Sequence, residues 1–268
     1  MFLNRVLGGV ALLALSASLA SAADLARKPA SPVMPRMAAF SWTGFYVGAN
    51  AGYAFGQQST RLGLGGAWAA ESAALQNDFR TAGGGNLRPG SFIGGIQAGY
   101  NRQVGMMVYG AEVDFNYMDL RKRTAYSLVG AGGFPALTYN YTRSVDTDWL
   151  ITLRPRIGYA MDRTLLYVTG GLALAQVKDG WSVASNGNYL KAMTNSGVRI
   201  GWTVGAGVEH AFTNNWTTKL EYLYTDLGRS SKDSSYLPGS AFTVPAYTEQ
   251  VKTRLTFHTI RAGVNYKF

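Results

Sequence analysis

The stretch Thr253-Arg254-Leu255-Thr256-Phe257-His258-Thr259-Ile260-Arg261-Ala262-Gly263-Val264-Asn265-Tyr266-Lys267-Phe268 decides the fold. Counted back by twos, one set reads Phe268, Tyr266, Val264, Ala262 and Ile260, and the other Lys267, Asn265, Gly263, Arg261 and Thr259. One face is apolar with aromatic ends and the other is polar. That is a strand between two unlike environments. A buried edge strand would show the same period, but a soluble domain gains little from finishing on an exposed Phe. The last strand of a transmembrane barrel has to pair with the first and close the sheet.

The rest of the chain is consistent with lipid as the second environment. It has 268 residues, 47% hydrophobic and only 15% charged, with 33 Gly, 16 Tyr, 6 Trp and no Cys. A soluble domain is seldom so rich in glycine and so poor in charge. Residues 1–22 read as a secretory signal peptide: Arg5 at the start, an apolar core from Val6 to Leu19, and Ala20-Ser21-Ala22 before a cut at Ala23. That core is too short to span a bilayer, and no later run approaches ~18 unbroken apolar residues. The mature chain is therefore expected to lack a transmembrane helix, and Ala23 in place of Cys argues against a lipid anchor. Losing Arg5 takes the net charge from +10 to +9. Residues 23–40, with Pro29, Pro32 and Pro35, read as a proline-rich periplasmic linker, and residues 41–268 as the barrel.

Seven further alternating runs precede the last strand. The first, from Ser41, sets Phe45, Val47, Ala49, Ala51, Tyr53 and Phe55 on one face. The others lie near 91–101, 107–117, 148–159, 164–176, 198–210 and 216–226. The run at 164–176 is apolar on both phases, so its facing is undecided. Pro155 cannot donate to a ladder and suggests a local bulge. Eight runs of about ten residues predict an all-β, eight-stranded antiparallel up-and-down transmembrane barrel. Residues 102–106, 160–163 and 211–215 read as short periplasmic turns. Residues 57–90, 118–147, 177–197 and 227–252 read as four long extracellular loops, and Tyr126, Tyr139 and Tyr141 in the second suggest that its strands continue as a hairpin above the membrane. Within the first of these, Ala67 to Phe79 is alanine-rich and suggests a short helix.

The aromatics fall into two girdles. Phe45, Tyr100, Tyr109, Tyr159, Trp216 and Phe268 lie at the periplasmic ends, and Phe55, Phe92, Tyr117, Trp149 and Tyr224 at the other. A spacing of 8 to 10 residues at ~3.3 Å each and ~40° tilt gives roughly 20–25 Å, the height of the lipid band. The opposite phase delivers Glu112, Asp114, Glu209 and Glu221 to the interior, together with Arg154, Arg156, Arg199, Lys219 and Arg261. An eight-stranded barrel is about wide enough for its own side chains. The expected interior is an ion-pair plug; a narrow solute path or proton relay is the alternative.

No enzyme is expected. His210 and His258 are the two candidate His bases, and neither has a serine on its own face at i±2. No metal spacing and no cofactor motif occur; Gly63-Leu64-Gly65-Gly66 and Gly83-Gly84-Gly85 lack the Lys of a phosphate loop. Arg121, Lys122, Arg123 and Arg143 sit near the rim of the second long loop and could meet the phosphates of lipopolysaccharide. Nucleic acid is not an expected partner of an exported chain.

The opening Ser41-Trp42-Thr43-Gly44-Phe45-Tyr46-Val47-Gly48, the run Tyr167-Val168-Thr169-Gly170-Gly171 and the C-terminal pattern together resemble the small outer-membrane barrels of alphaproteobacteria, the outer-membrane immunogenic or porin-family proteins. Arg261, Gly263, Tyr266 and Phe268 resemble the signal read by the barrel assembly machinery. The resemblance implies an outer-membrane surface protein that supports envelope integrity and external contacts, among lipid and lipopolysaccharide. A small-solute channel is the alternative. Some relatives bind haemin, but no motif here assigns haemin ligands.

Overall fold

The computed structural model describes residues 40–268. The signal peptide with Ala20, Ala22 and Ala23, and the linker as far as residue 39, lie outside the described residues. Eight long strands follow one another: β1 Gly44–Gly66, β2 Gly90–Val104, β3 Met107–Val129, β4 Thr138–Met161, β5 Thr164–Ser185, β6 Leu190–Ala211, β7 Trp216–Asp233 and β8 Tyr247–Lys267. Each is antiparallel to its chain neighbours. The first and last also pair, from Tyr46 opposite Lys267 to Gly66 opposite Tyr247, so the sheet closes on itself. A closed sheet has no membrane-exposed edge, which is what lipid demands of a β structure.

The strand faces follow the alternation. On β1 Tyr46, Asn50 and Ala54 are buried while Phe45, Val47, Tyr53 and Phe55 are exposed; on β8 Arg261 and Asn265 are buried while Ile260, Val264 and Tyr266 face out. For β5 the structure settles the facing: Leu165, Tyr167, Thr169 and Ala173 point in, and Leu166, Val168 and Leu172 point out.

Three expectations need correction. First, the third and fourth long connections are mostly strand, the second is the expected hairpin carried further, and the first is part strand and part helix. The strands run from 15 to 24 residues, where ~10 cross the lipid, and the upper halves continue the barrel beyond the outer girdle. Above that girdle the polarity of the two faces reverses. On β8 the outward residues become Thr256, Arg254, Lys252 and Gln250, and the inward ones Phe257, Leu255 and Val251. Water replaces lipid outside, so apolar side chains turn inward as in a soluble barrel.

Second, Pro155 makes no bulge; it stands opposite Ala111, and the β4–β5 register is the same on either side of it. The register slips instead between Tyr117 and Leu120 on β3, between Thr147 and Leu150 on β4, and between Arg254 and Thr256 on β8. All three lie at the outer girdle. On β4 the extra residue moves the inward set from even numbers (Leu150, Thr152, Arg154) to odd ones (Tyr139, Tyr141, Val145).

Third, Ser41-Trp42-Thr43 is not strand. Trp42 is buried against Val108, Ala160, Leu165 and Ala211, on the far side of the barrel from β1, so this segment crosses the periplasmic mouth. The Trp42 indole N–H donates to the Asp162 carbonyl at 3.3 Å and its backbone N–H to Gln103 at 2.8 Å. Gly44, with φ of 143°, turns the chain from that crossing into β1. The short helix expected in the alanine-rich stretch is present, as a 3-10 turn at Ala67–Ala70 and a helix α1 at Ala73–Gly83, capped by the Ser72 hydroxyl accepting from Leu75 N–H at 3.2 Å. This helix sits in the outer mouth.

Candidate functional site: the filled lumen and the outer mouth

The lumen is occupied in layers. Above the Phe40–Trp42 floor lies a polar layer at the height of the lipid band. Arg154 is fully buried and donates to Glu112 at 2.6 Å, Asp114 at 2.9 Å and Glu221 at 3.1 Å. Arg261 reaches Glu221 at 2.6 Å and Asp114 at 3.2 Å. Lys219 donates to Glu112 at 2.8 Å, and Arg156 to Glu209 at 3.1 Å. The Arg156 guanidinium also lies between the rings of Tyr46 and Tyr167, 4.8 and 5.1 Å from their centroids.

Neutral partners complete the layer. Tyr46 hydroxyl donates to Glu112 at 2.8 Å, Tyr167 to Glu221 at 3.1 Å, and Asn265 to Glu209 at 2.8 Å. Gln97 donates to Asn265 at 2.6 Å. All eight strands contribute. A charge taken from water costs several kcal/mol unless paired and hydrogen-bonded, and every charge of this set has an opposite partner within 3.2 Å.

Of the nine expected lumen charges, eight meet in this network. Arg199 does not. It points upward to Asp179, with Thr253 hydroxyl 3.0 Å away, in a separate layer that Gln58 also joins. Without Arg199 the network holds four acids and four bases and is neutral. Between the two polar layers an apolar one, including Ile93, Met118, Leu120, Leu150, Leu255 and Phe257, fills the barrel. Sequence reasoning missed Asp179 because it lies in 177–197, a stretch read as loop. It missed the buried pair Lys191–Glu249, 2.6 Å apart, because both residues fell in stretches read as loop.

The girdle residues lie on the outward face. Phe45 contacts Tyr100, with ring centroids 4.7 Å apart, and Trp216 contacts Tyr266 at 5.1 Å. At the outer level Phe55 stacks on His258 at 5.4 Å, His258 meets Tyr224 at 5.2 Å, and Tyr224 meets Trp202 at 5.4 Å. Phe92, Tyr109, Tyr117, Tyr159 and Phe268 are exposed, and Trp149 and Tyr224 are half-buried. Both His residues belong to this outward face: His210 Nδ1 lies 3.0 Å from Thr164 hydroxyl, and His258 Nδ1 2.6 Å from Tyr222 hydroxyl.

The four rim cations part company. Arg121 is exposed on the outer wall and is held by Asp119 at 2.5 Å, Asp146 at 3.3 Å and Asp148 at 3.5 Å. Lys122 and Arg123 are exposed beside it. Arg143 does not reach the outer leaflet. It points inward and donates to the Gly84 carbonyl, because the slip below it puts odd residues of β4 inside.

At the top of the barrel α1 inserts Phe79, fully buried, among Tyr139, Tyr141, Trp181 and Tyr189, with ring centroids 5.3 to 6.4 Å away. Trp181 indole N–H donates to the Gly83 carbonyl at 3.0 Å. Beneath, Glu249 accepts from Trp68 at 2.6 Å, from Ser234 at 2.5 Å and from Tyr189.

Burial, reinforced by the carboxylates of Glu71 and Glu249, pushes the Tyr139 phenol up to about 12. The hydrogen bond from Tyr247 to Glu71, then burial, does the same for Tyr247. Both folded values lie above the ordinary 10.0, so the neutral phenols stabilise the cap fully below pH 10, and that contribution is lost as pH rises through 12. Near-ultraviolet circular dichroism of the aromatic cap is expected to fade between pH 10 and 12 and to fade less in Tyr139→Phe with Tyr247→Phe. An unchanged alkaline transition in that double variant would refute the assignment.

Comparison with known proteins gives a consistent answer. The family described as "Outer membrane protein beta-barrel domain" matches residues 10–268. The 31 kDa outer-membrane immunogenic protein of Brucella melitensis is 36% identical over 95% of this chain and 96% of its own. The 22 kDa outer membrane protein of Rhizobium leguminosarum is 36% identical over 78% of this chain and 74% of its own. Among solved structures the barrel is similar to OprG of Pseudomonas aeruginosa, at a TM-score of 0.46 and 12% identity, over 84% of this chain and 96% of that one.

Proposed function

The chain belongs to the outer membrane protein β-barrel family, and from that membership we propose that it acts as a closed surface barrel of the outer membrane, supporting the envelope and presenting its upper half to external partners. Its place in the outer membrane is shared with its relatives. The observation that carries the closed-lumen reading is the neutral network of eight charges, tied to every strand and roofed by an apolar layer. An ion on this path would have to displace charges that are already paired.

The reading extends to the outer leaflet. Lys122 and Arg123 are proposed to face lipopolysaccharide phosphates, with Arg121 largely neutralised by its three aspartates. Arg261, Gly263, Tyr266 and Phe268 are proposed as the set read during assembly; the first three lie on the strand that pairs with both β1 and β7, and Phe268 follows it directly. No catalytic step is proposed. Haemin capture is not proposed, since His210 and His258 are both engaged on the outward face.

Single-channel recording of the purified protein in a planar bilayer is expected to show no steady conductance. Large, steady openings would replace this reading with the narrow-channel one.

A further inference from the structure

All four outer connections converge on one cavity of about 650 Å³ above α1. Its walls include Trp68 and Glu71 from the first, Tyr139 from the second, Tyr189 from the third, and Phe242 and Tyr247 from the fourth. The volume is that of a small-molecule site. The rings stand nearly at right angles: Trp68 to Tyr247 at 82° and 5.1 Å, Tyr189 to Tyr247 at 78° and 5.7 Å, and Tyr139 to Tyr189 at 90° and 6.4 Å. Perpendicular rings present π-faces and edges to one open-sided cavity.

The charge is one-sided. The chain as a whole is strongly basic, at +10, yet the lining contains Glu71 and no Lys, Arg or His. Glu71 is held in place by the Tyr247 hydroxyl, which leaves its other carboxylate oxygen for a ligand. A cation already lies against this aromatic cluster from below, where Lys191 Nζ is 4.2 Å from the Tyr236 ring centroid. Electron-rich ring faces attract cations most strongly where water is excluded, and a nearby carboxylate adds to that attraction. Within the lining itself an anionic ligand would meet Glu71 and no cationic side chain.

We propose that this cavity is a binding site for a small alkylated ammonium ion free in solution, with Trp68, Tyr139, Tyr189 and Tyr247 enclosing the cation and Glu71 balancing its charge. Phe242, exposed at the rim, covers the apolar part of the ligand. The site stands apart from the lumen, so a conducting barrel would leave it intact.

Isothermal titration of the whole folded protein in a non-ionic detergent tests it, with benzyltrimethylammonium as the probe. One ion is expected to bind per chain. Benzenesulfonate should bind at least tenfold more weakly. Glu71→Gln, which keeps an acceptor for Tyr247, should weaken the cation about tenfold. Phe242→Ala, at an exposed position that the fold does not need, should weaken it several-fold. Heat-modifiable gel mobility confirms that each variant is folded. Equal affinity for the cation and the sulfonate, unchanged affinity in Glu71→Gln, or no binding by the folded wild type would each overturn the proposal.

Discussion

Arg154→Met is expected to destabilise the folded barrel by about 3–5 kcal/mol, the cost of leaving a buried ionic group without its partner. Arg154 is the hub of the lumen: one guanidinium serves Glu112, Asp114 and Glu221 and has no solvent exposure. Methionine keeps the apolar stem but none of the charge, so the layer would be left with a net charge of −1. Lys219 and Arg261 still hold parts of the same acids, but their geometry is already committed to Glu112 and to Glu221 with Asp114. Urea unfolding in phospholipid vesicles measures the loss. Adding Glu221→Gln to Arg154→Met should restore part of the stability, since it returns the layer to neutrality, and the two effects should be far from additive. A loss below ~1 kcal/mol for Arg154→Met would mean that water reaches this layer and that the lumen is not sealed.

The second large effect lies on the opposite face. Val113 is exposed on β3, midway between Tyr109 and Tyr117 of the two girdles. Val113→Arg is expected to cost about 2–4 kcal/mol, as for a cation at the bilayer midplane of an outer-membrane barrel. Thr248→Arg, on the exposed outward face of upper β8, should cost next to nothing, because water surrounds that part of the wall. The contrast matters more than either value. Equal tolerance at both positions would show that lipid does not contact the ring of apolar side chains between the girdles.

How far the sequence could be read follows from what lies outside each strand. Between the girdles the outer solvent is lipid, the alternation is strong, and Phe45 to Phe55 or Ile260 to Tyr266 could be assigned to a face by counting. The interior charges were legible for the same reason. Beyond the outer girdle both inside and outside change: Gln57, Ser59 and Arg61 replace the outward apolar set of β1, and Leu62 turns inward. A strand whose polarity inverts midway looks like the end of a strand. On β4 the slip at Thr147–Leu150 adds a change of phase, so that Tyr139 and Tyr141 count in step with Leu153 and Ile157 yet face the opposite way. The pairs Asp179–Arg199 and Lys191–Glu249, and the aromatic cavity, all lie in that upper half. None has a local sequence signal, since their residues come from strands and connections far apart in the chain.

The placement of α1 bears on the order of events during biogenesis. Trp68 and Glu249 are 181 positions apart, and α1 alone, at 11 residues, is too short to hold itself together in water. Its seat is made by residues of β4, β5, β6 and β8. The segment around Phe79 therefore waits, unfolded and sticky, until the final hairpin has docked and the ring is shut. Its disappearance from the reach of proteases would be a natural clock for the last step of insertion.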